Sequence, residues 1–532
     1  MKNRRVTRIM ASYFLIIVFV FFSFAPGVIS SNALTNIVNA ADYTGRKQPG
    51  NLYSINNGLN SVDRFPVVET PDVELKLVER VERYNEQADE IIETYAIKIN
   101  DRIIGYLLYD SYIFNNGDLY YYLKYEPEGL NPRTISLMLP FVFDEYDLRT
   151  IEYPEGLDQT KSVIGVYEGQ NTDSELLSTL EPGSVYIDSA TMNGFFSYSS
   201  IYEKGTNNIR KELYEKAENI QINSNGIKVT LPAAENSFSE QWGIISKTKL
   251  VDWDDATAVD AVKVGDLSRV RKWGGDGQYY FLPYGYAPYS ANGFYRNSAN
   301  HIGNKYLGIE GRFFENYAYV TIDTLIKTQN SDGFWGTDPM AVGLYENYKV
   351  GAGFFDTRWD TEAALSLLRG YRRFNEPQFL RAANKFAEFY CDFAVSNAYQ
   401  TKNQGILVYD YGFDATPGIK THVSLNHLVN EMNFLFEMYF STAKYEYLQV
   451  AKRILTGISD TAEEWVNKET GDLFYGYYGD GKYDVEDYPT LTLDDLRYAQ
   501  VLITTLYSNE DPSIKMLTRI KEEYLTGKGI VH

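Results

Sequence analysis

WDTEAALSLLRGYRRFNEPQFLRAANKFAEFYCDFAV, Trp359 to Val395, decides the fold. Both halves read as amphipathic helices, and the break at Asn375-Glu376-Pro377 places a proline at a first helical turn, where its missing N–H costs nothing. RFFENYAYVTIDTLIKTQ precedes this pair, closed off by NSDGFWGTDP. HVSLNHLVNEMNFLFEMYF, KYEYLQVAKRILTGISDTAEEWV, DDLRYAQVLITTLY and PSIKMLTRIKEEYL follow it. FNEPQFLRAANKF is echoed by TAKYEYLQVAKRI, with an aromatic-Leu pair followed by Ala and a basic residue at matching distances. Helical hairpins repeated in this way bury their seams against one another and stack into a curved or closed ring.

Upstream the pattern changes. YAIKINDRIIGYLLYD predicts two strands joined at Asn100-Asp101, and DLYYYLKYE, TISLMLPFVF, SVIGVYE, SVYIDS and GIKVTLP continue as strands. VELKLVERVERYNEQADEII is expected to be a helix, and NIRKELYEKAENI a helical insertion. The expected fold is α+β: a mainly β accessory domain over 76–240, then an (α/α) toroid or incomplete helical barrel over 241–532 with aromatic loops at its opening. Residues 1–40 read as a signal peptide: a basic MKNRRVTRIM, an apolar run broken by Pro26 and Gly27, and small residues Val38 and Ala40 at a cleavage site. The alternative is an uncleaved anchor, although Tyr13 to Ala25 is short for a membrane span. Residues 41–75 read as a leader or linker. These features predict a secreted or envelope-associated protein with no stable span once the signal is removed.

The formal charge of −21 lacks the Lys/Arg footprint that a phosphate backbone requires, so DNA and RNA are not expected partners. The 46 Tyr, 29 Phe and 6 Trp offer flat faces with polar edges, which suit sugar rings as well as cores. Cys391 is the single cysteine, so no intramolecular disulfide forms, and it reads as a buried helical residue.

SDGFWG at 331–336, the segment from Trp359, the segment from His422 and the KYEYLQVAKRI after it resemble helical-toroid, or (α/α)-barrel, enzymes that process polysaccharides. These include secreted glycosidases, uronate lyases and the C-terminal region of glucuronyl epimerases. The resemblance spans about residues 273–525 and implies a substrate cleft at one mouth of the ring, formed by loops and helix starts. No diagnostic catalytic motif accompanies it, so the reaction is left open.

Candidate chemistry falls in four places. On the helix beginning near Thr421, His422, Asn426, Asn430 and Asn433 follow spacings of 4, 4 and 3 and share one face, where an imidazole and three amides can hold sugar hydroxyls. His427 and Glu431, four apart, read as a structural pair. In GFFDTRWDTEAALSLL, Asp356, Asp360 and Glu362 are candidate acids or bases beside Arg358 and Trp359, with Asp360 or Thr361 expected to cap the helix. Tyr279, Tyr280, Tyr284 and Tyr289, with Arg269, Arg271 and Lys272, line either a cleft or a domain junction. Tyr475, Tyr477, Tyr478, Tyr483 and Tyr488 sit among turn formers, where Asp480, Asp484, Glu486 and Asp487 are dense enough to suggest Ca²⁺, although a solvated loop fits them better and no cofactor is predicted.

The sequence supports three function classes. One is a polysaccharide glycoside hydrolase using paired carboxylates. The second is a glucuronyl epimerase or uronate lyase, with Tyr or His as base and Arg358 or Asn426 holding the carboxylate. The third is a noncatalytic extracellular polysaccharide-binding protein. A polysaccharide or oligosaccharide is the expected partner; the oligomeric state is left open.

Overall fold

A computed structural model describes residues 66–530 apart from 144, 155–160, 171–176, 178–179, 206–208, 267–271, 274, 282–284 and 291. The signal segment, most of the leader, Arg269, Arg271 and Tyr284 lie outside the described residues.

The N-terminal half is mainly β. Its first four long strands, Glu74–Tyr84, Ala88–Ile99, Arg102–Phe114 and Leu119–Pro127, form an antiparallel meander joined through Ser237–Ser246 to the rest of a 14-stranded sheet. Asn100 and Asp101 turn the second hairpin with φ of 46° and 63°, the left-handed pair that a tight two-residue turn requires. A four-stranded sheet of Val67–Val68, Ile135–Leu139, Gly226–Leu231 and Gln221–Asn223 covers one face. LYYYL shows why the strand reads as a continuous apolar run. Tyr121 and Leu123 enter the core shared with the small sheet, while Tyr120 and Tyr122 enter the core shared with the helices.

Two expectations are corrected here. Glu74–Tyr84 is a strand rather than the start of a helix, because its charges alternate with apolar residues as well as falling at helical spacing. A bulge between Leu77 and Glu79 restores the register, and Arg80 reaches Glu93 across the ladder. NIRKELYEKAENI forms the strand Arg210–Glu212 and a single 3₁₀ turn at Tyr214–Lys216.

The C-terminal half is mainly helical. Its helices are α1 Ala256–Gly265, α2 His301–Tyr306, α3 Arg312–Thr328, α4 Val342–Tyr348, α5 Thr357–Phe374, α6 Pro377–Ser396, α7 Leu425–Thr442, α8 Tyr445–Asp460, α9 Leu491–Tyr507 and α10 Pro512–Gly527. Helices α5, α7 and α9 pack side by side as an inner layer, and α3, α6, α8 and α10 pack outside them, which makes an incomplete helical barrel. Asn375, Ala443 and Ser508 end α5, α7 and α9 in the left-handed conformation, and Pro377 and Pro512 start the helices that follow two of these turns. Helix α7, central in the stack, is buried around its whole circumference from Leu425 to Met438. Cys391 lies buried on α6. No helix among the described residues is long and apolar enough to cross a membrane.

The two halves share one core. Trp242, Phe195 and Tyr120 of the sheet stack against Phe313 and Tyr317 of α3. A buried polar lock flanks them: Asp323 of α3 accepts from Arg83, from Tyr112 Oη at 2.7 Å and from Gln378 Nε2 at 3.3 Å, while Lys327 binds Glu90. Substituting Asp323→Ala is expected to cost about 3 kcal/mol, the lower end for breaking a buried pair, because Arg83 keeps Glu90. A reduced urea midpoint with unchanged slope would check it.

Candidate active site

Four chain segments meet just before the inner helices α5 and α7 begin. Phe355–Asp356 pairs with Tyr411–Gly412, and Val423–Ser424 pairs with Gly476–Tyr477. Thr357 N donates to Asp410 O (3.0 Å) and Asp410 N to His422 O (3.1 Å). These short bridges gather Asp356, Asp410 and His422 at the N-terminal ends of α5 and α7.

Asp356, not Asp360 or Thr361, caps α5, accepting from Trp359 N at 3.0 Å. Burial pushes its carboxyl up to about 7, against the pull of the Trp359 and Arg358 N–H groups and the Arg358 charge. Asp410 is fully buried and accepts from Ser424 N at 2.8 Å and from Ser424 Oγ; burial raises it well above the usual carboxylate range, and Glu431 and Asp356 add to the shift. His422 places Nε2 3.3 Å from Asp410 Oδ2 and Nδ1 3.1 Å from Tyr348 Oη. Burial lowers it to about 4, so the ring is neutral at physiological pH. The rings of Tyr348, Tyr411, Tyr475 and Tyr478 surround it at centroid distances of 5.4–5.9 Å, and Tyr488 meets Tyr475 edge-on at 5.4 Å. These tyrosines are half-buried, and four of them form an aromatic rim around His422.

Further along α7, His427 Nδ1 is 2.9 Å from Thr357 Oγ1, 3.7 Å from Asp410 Oδ1 and 3.9 Å from Glu431 Oε1. Tyr390 holds the other Glu431 oxygen. Burial raises Glu431 to about 7 and drops His427 well below its usual value.

The remaining sequence candidates fall into separate places. Arg358 is buried and spent: Nη1 binds Asp495 and Asn426 O (2.8 Å), and Nη2 binds Glu362 at 2.9 Å. Glu362 is therefore one of its partners rather than a free acid. Asn426, Asn430 and Asn433 are buried along α7, and Asn433 Nδ2 donates to Asp495 O at 3.0 Å. Asp360 accepts from Ser298 Oγ at 3.0 Å and from Trp335 N at 3.2 Å, so it ties the SDGFWG loop to α5. Trp359 stacks on Tyr286 (6.2 Å) and meets Phe281 edge-on. Tyr279 lies in the core shared by the sheet and the helices.

Asp410, Tyr348, Tyr411, Tyr286 and Asp495 were not picked out by sequence reasoning. Asp410, in LVYDYGFDA, carries no periodic or motif signal; only the strand–turn character of its surroundings marks it as a residue at an element's end. The acids expected near a Ca²⁺ are placed otherwise. Asp487 lies 3.0 Å from buried Lys521, Glu486 accepts from Tyr524, and Asp484 lies 3.8 Å from Lys482. Among the described residues no group of three or more His, Cys, Asp or Glu is arranged to hold a metal ion. A cavity on the sheet side of α3, lined in part by Ser197, Trp242, Glu240 and Asp266, lies away from Asp356 and Asp410. Its acids are already matched, Glu240 by Arg210 and Tyr122, and Asp266 by Tyr153.

No protein-family model and no curated protein matches the sequence. Among solved structures, a family 76 glycoside hydrolase from a bovine Bacteroides thetaiotaomicron strain superposes over 85% of this chain and 78% of its own, with 10% identity and a TM-score of 0.37. A D-mannose isomerase matches 44% of this chain and 61% of its own, at 15% identity and a TM-score of 0.33, so this chain spans less than two thirds of its length. A cellobiose 2-epimerase from Bacillus thermoamylovorans matches 44% of this chain and 60% of its own, at 12% identity and 0.32. The likeness is loose and architectural, and the reading of the site rests on its own geometry.

Proposed function

We propose that this chain is a carbohydrate-active hydrolase that cleaves glycosidic bonds in a polysaccharide or oligosaccharide outside the cell. The observation that carries the reading is the closeness of Asp356 and Asp410: two buried carboxyls on hydrogen-bonded neighbouring segments, beside a ring of tyrosines, with burial raising Asp356 to about 7 and Asp410 well above the usual carboxylate range. Asp410 feels the charge of Asp356, so the two carboxyls do not readily ionise together. Asp410, fully buried, is the one that holds its proton and acts as the acid. Asp356, at the N-terminus of α5 and next in sequence but one to Arg358, is the carboxylate that the helix dipole favours.

Asp410 delivers its proton to the glycosidic oxygen as the bond to the anomeric carbon breaks. Asp356 takes a proton from the water whose oxygen bonds to that carbon, and proton return from solvent resets the pair. The rim supplies flat faces for the sugar ring.

The hydrogen bond between Tyr348 and neutral His422 favours a second reading, proton abstraction at a sugar carbon by an epimerase or lyase. Against it, the guanidinium that would hold a uronate carboxylate already faces Asp495 and Glu362. Incubating the chain after Ala40 with a polysaccharide panel in deuterated water separates these readings. Saturated reducing ends are expected. Unsaturated ends or carbon-bound deuterium would establish the second reading, and glycan binding without turnover would leave a binding protein.

A pH profile gives a further check. Asp356 is faced by Arg358, Asp360, Asp410, Glu431, Tyr286, Tyr411 and Tyr488. Its raised value means that the carboxylate form needed as base is lost below about 7, so kcat/KM should fall on acidification through that value.

A further inference from the structure

We propose that the outer edge of strand Glu74–Tyr84 pairs with the same strand of a second copy of this chain, antiparallel about a two-fold axis at Val81, so that the large sheet runs on from one copy into the other. Among the described residues this strand ends the sheet: it pairs with Ala88–Ile99 on one side and with no strand on the other. Every residue from Lys76 to Glu82 is exposed. Leu77, Val78, Val81 and Tyr84 are exposed by 46%, 59%, 43% and 70%, which leaves apolar side chains along an open edge, the place where one chain templates another.

Charges ordinarily blunt such an edge. Here their order matches them to a second copy. When VERVERY, Val78 to Tyr84, is laid antiparallel on itself with Val81 opposite Val81, Arg80 falls opposite Glu82, Glu79 opposite Arg83 and Val78 opposite Tyr84, each pair occurring twice. Every facing pair is then either oppositely charged or apolar. A slip of one position sets Glu79 against Glu82 or Arg80 against Arg83, and a slip of two sets Arg80 or Glu82 against itself, so like-charge repulsion singles out one register. Both guanidinium groups are held in place across the ladder, Arg80 by Glu93 at 2.7 Å and Arg83 by Glu90. Arg80 also touches Glu82 of its own strand at 2.7 Å, which keeps the two charges that meet across the axis on one face. The bulge after Leu77 ends the matched stretch at Val78, so the contact is short and the dimer should dissociate on dilution.

Analytical ultracentrifugation of the chain after Ala40, from about 1 to 100 µM, is expected to show a monomer–dimer equilibrium. Val81→Lys, at an exposed position, sets two ammonium groups face to face on the axis and should raise the dissociation constant about 10-fold or more with the melting temperature unchanged. Arg80→Glu and Glu82→Arg should each weaken the dimer alone, by opposing like charges. An equimolar mixture of these two variants should dimerise again, because opposite charges then meet at both positions, and that recovery also shows that both variants are folded. Val81→Cys reads the axis directly. Facing residues of an antiparallel pair lie about 4.5–5.5 Å apart at Cα, within reach of a disulfide, and Cys391 is buried, so air oxidation should give a covalent dimer. A chain that stays monomeric at about 100 µM overturns the inference. So does a dimer that survives Val81→Lys, or one in which Val81→Cys forms no cross-link, since either would place the contact on another surface.

Discussion

Asp410→Asn and Asp356→Asn are each expected to lower kcat on a cleaved glycan by about 10²- to 10⁴-fold, the range that a positioned acid or base contributes. The two substitutions are informative because Asn reproduces the local bonds. At 356, Asn caps a helix as well as Asp does, so the bond from Trp359 N and the start of α5 survive, and the stability change should stay within a few tenths of a kcal/mol. At 410, an amide oxygen still accepts from Ser424 N. What disappears is the exchangeable proton at one position and the negative charge at the other. Because the residues act as a unit, the double variant should lose little more than the worse single one. Asp360→Asn provides the contrast: its carboxylate serves Ser298 and Trp335, so it should shift the melting temperature without a comparable loss of kcat. Steady-state kinetics beside thermal melts check all four. Full activity in either single variant would remove that acid from the mechanism.

Lys521→Met should loosen the aromatic rim beside His422 from a distance. The ammonium of Lys521 on α10 is fully buried, 2.7 Å from Asp472 and 3.0 Å from Asp487, and these acids flank the hairpin that carries Tyr475 and Tyr478. Asp487 also accepts from Thr492 Oγ1 at the start of α9, so one cation ties the last outer helix, the hairpin and an inner helix together. Without it two like-charged carboxyls stay buried, and losing one partner of such a group costs about 3–5 kcal/mol. The pH dependence has a definite sign. Burial already raises Asp487 to about 6, and a carboxyl with a raised value contributes stability at low pH that is lost as pH climbs through that value. The deficit should therefore be larger at pH 8 than at pH 5, which lies below the raised value of Asp487. Hydrogen exchange should accelerate over 473–488 before the sheet half opens, and KM should rise more than kcat falls. Uniform exchange across both halves would mean that Lys521 stabilises the whole chain and not this hairpin.

Helical spacing from Trp359 onward, the break before Pro377 and the strand runs between Tyr95 and Leu231 are local signals, and the structure follows them: helical hairpins stacked after a mainly β half. The signal failed where one stretch satisfied two periods at once. VELKLVERVERY has charges at helical spacing and also alternates, and pairing with Ala88–Ile99 chose the strand. The stripe of His422, Asn426, Asn430 and Asn433 was legible as one face of a helix. Its surroundings were not, because burial on every side of α7 depends on which helices flank it.

The chain by itself determined the α+β order, the helix ends set by Pro and by residues able to turn left-handed, and the charge that disfavours nucleic acid, because each of these depends on neighbours within a few positions or on a sum over residues. Tertiary structure alone decided which carboxyls meet. Asp356 and Asp410 are 54 positions apart and come together through two short strand segments, while Arg358 is claimed by Asp495 from α9, which lies 137 residues along the chain. Backbone hydrogen bonds between distant segments, and the burial they impose, turn these acids into a pair and that arginine into a neutralised support, and neither effect is encoded in any local stretch of sequence.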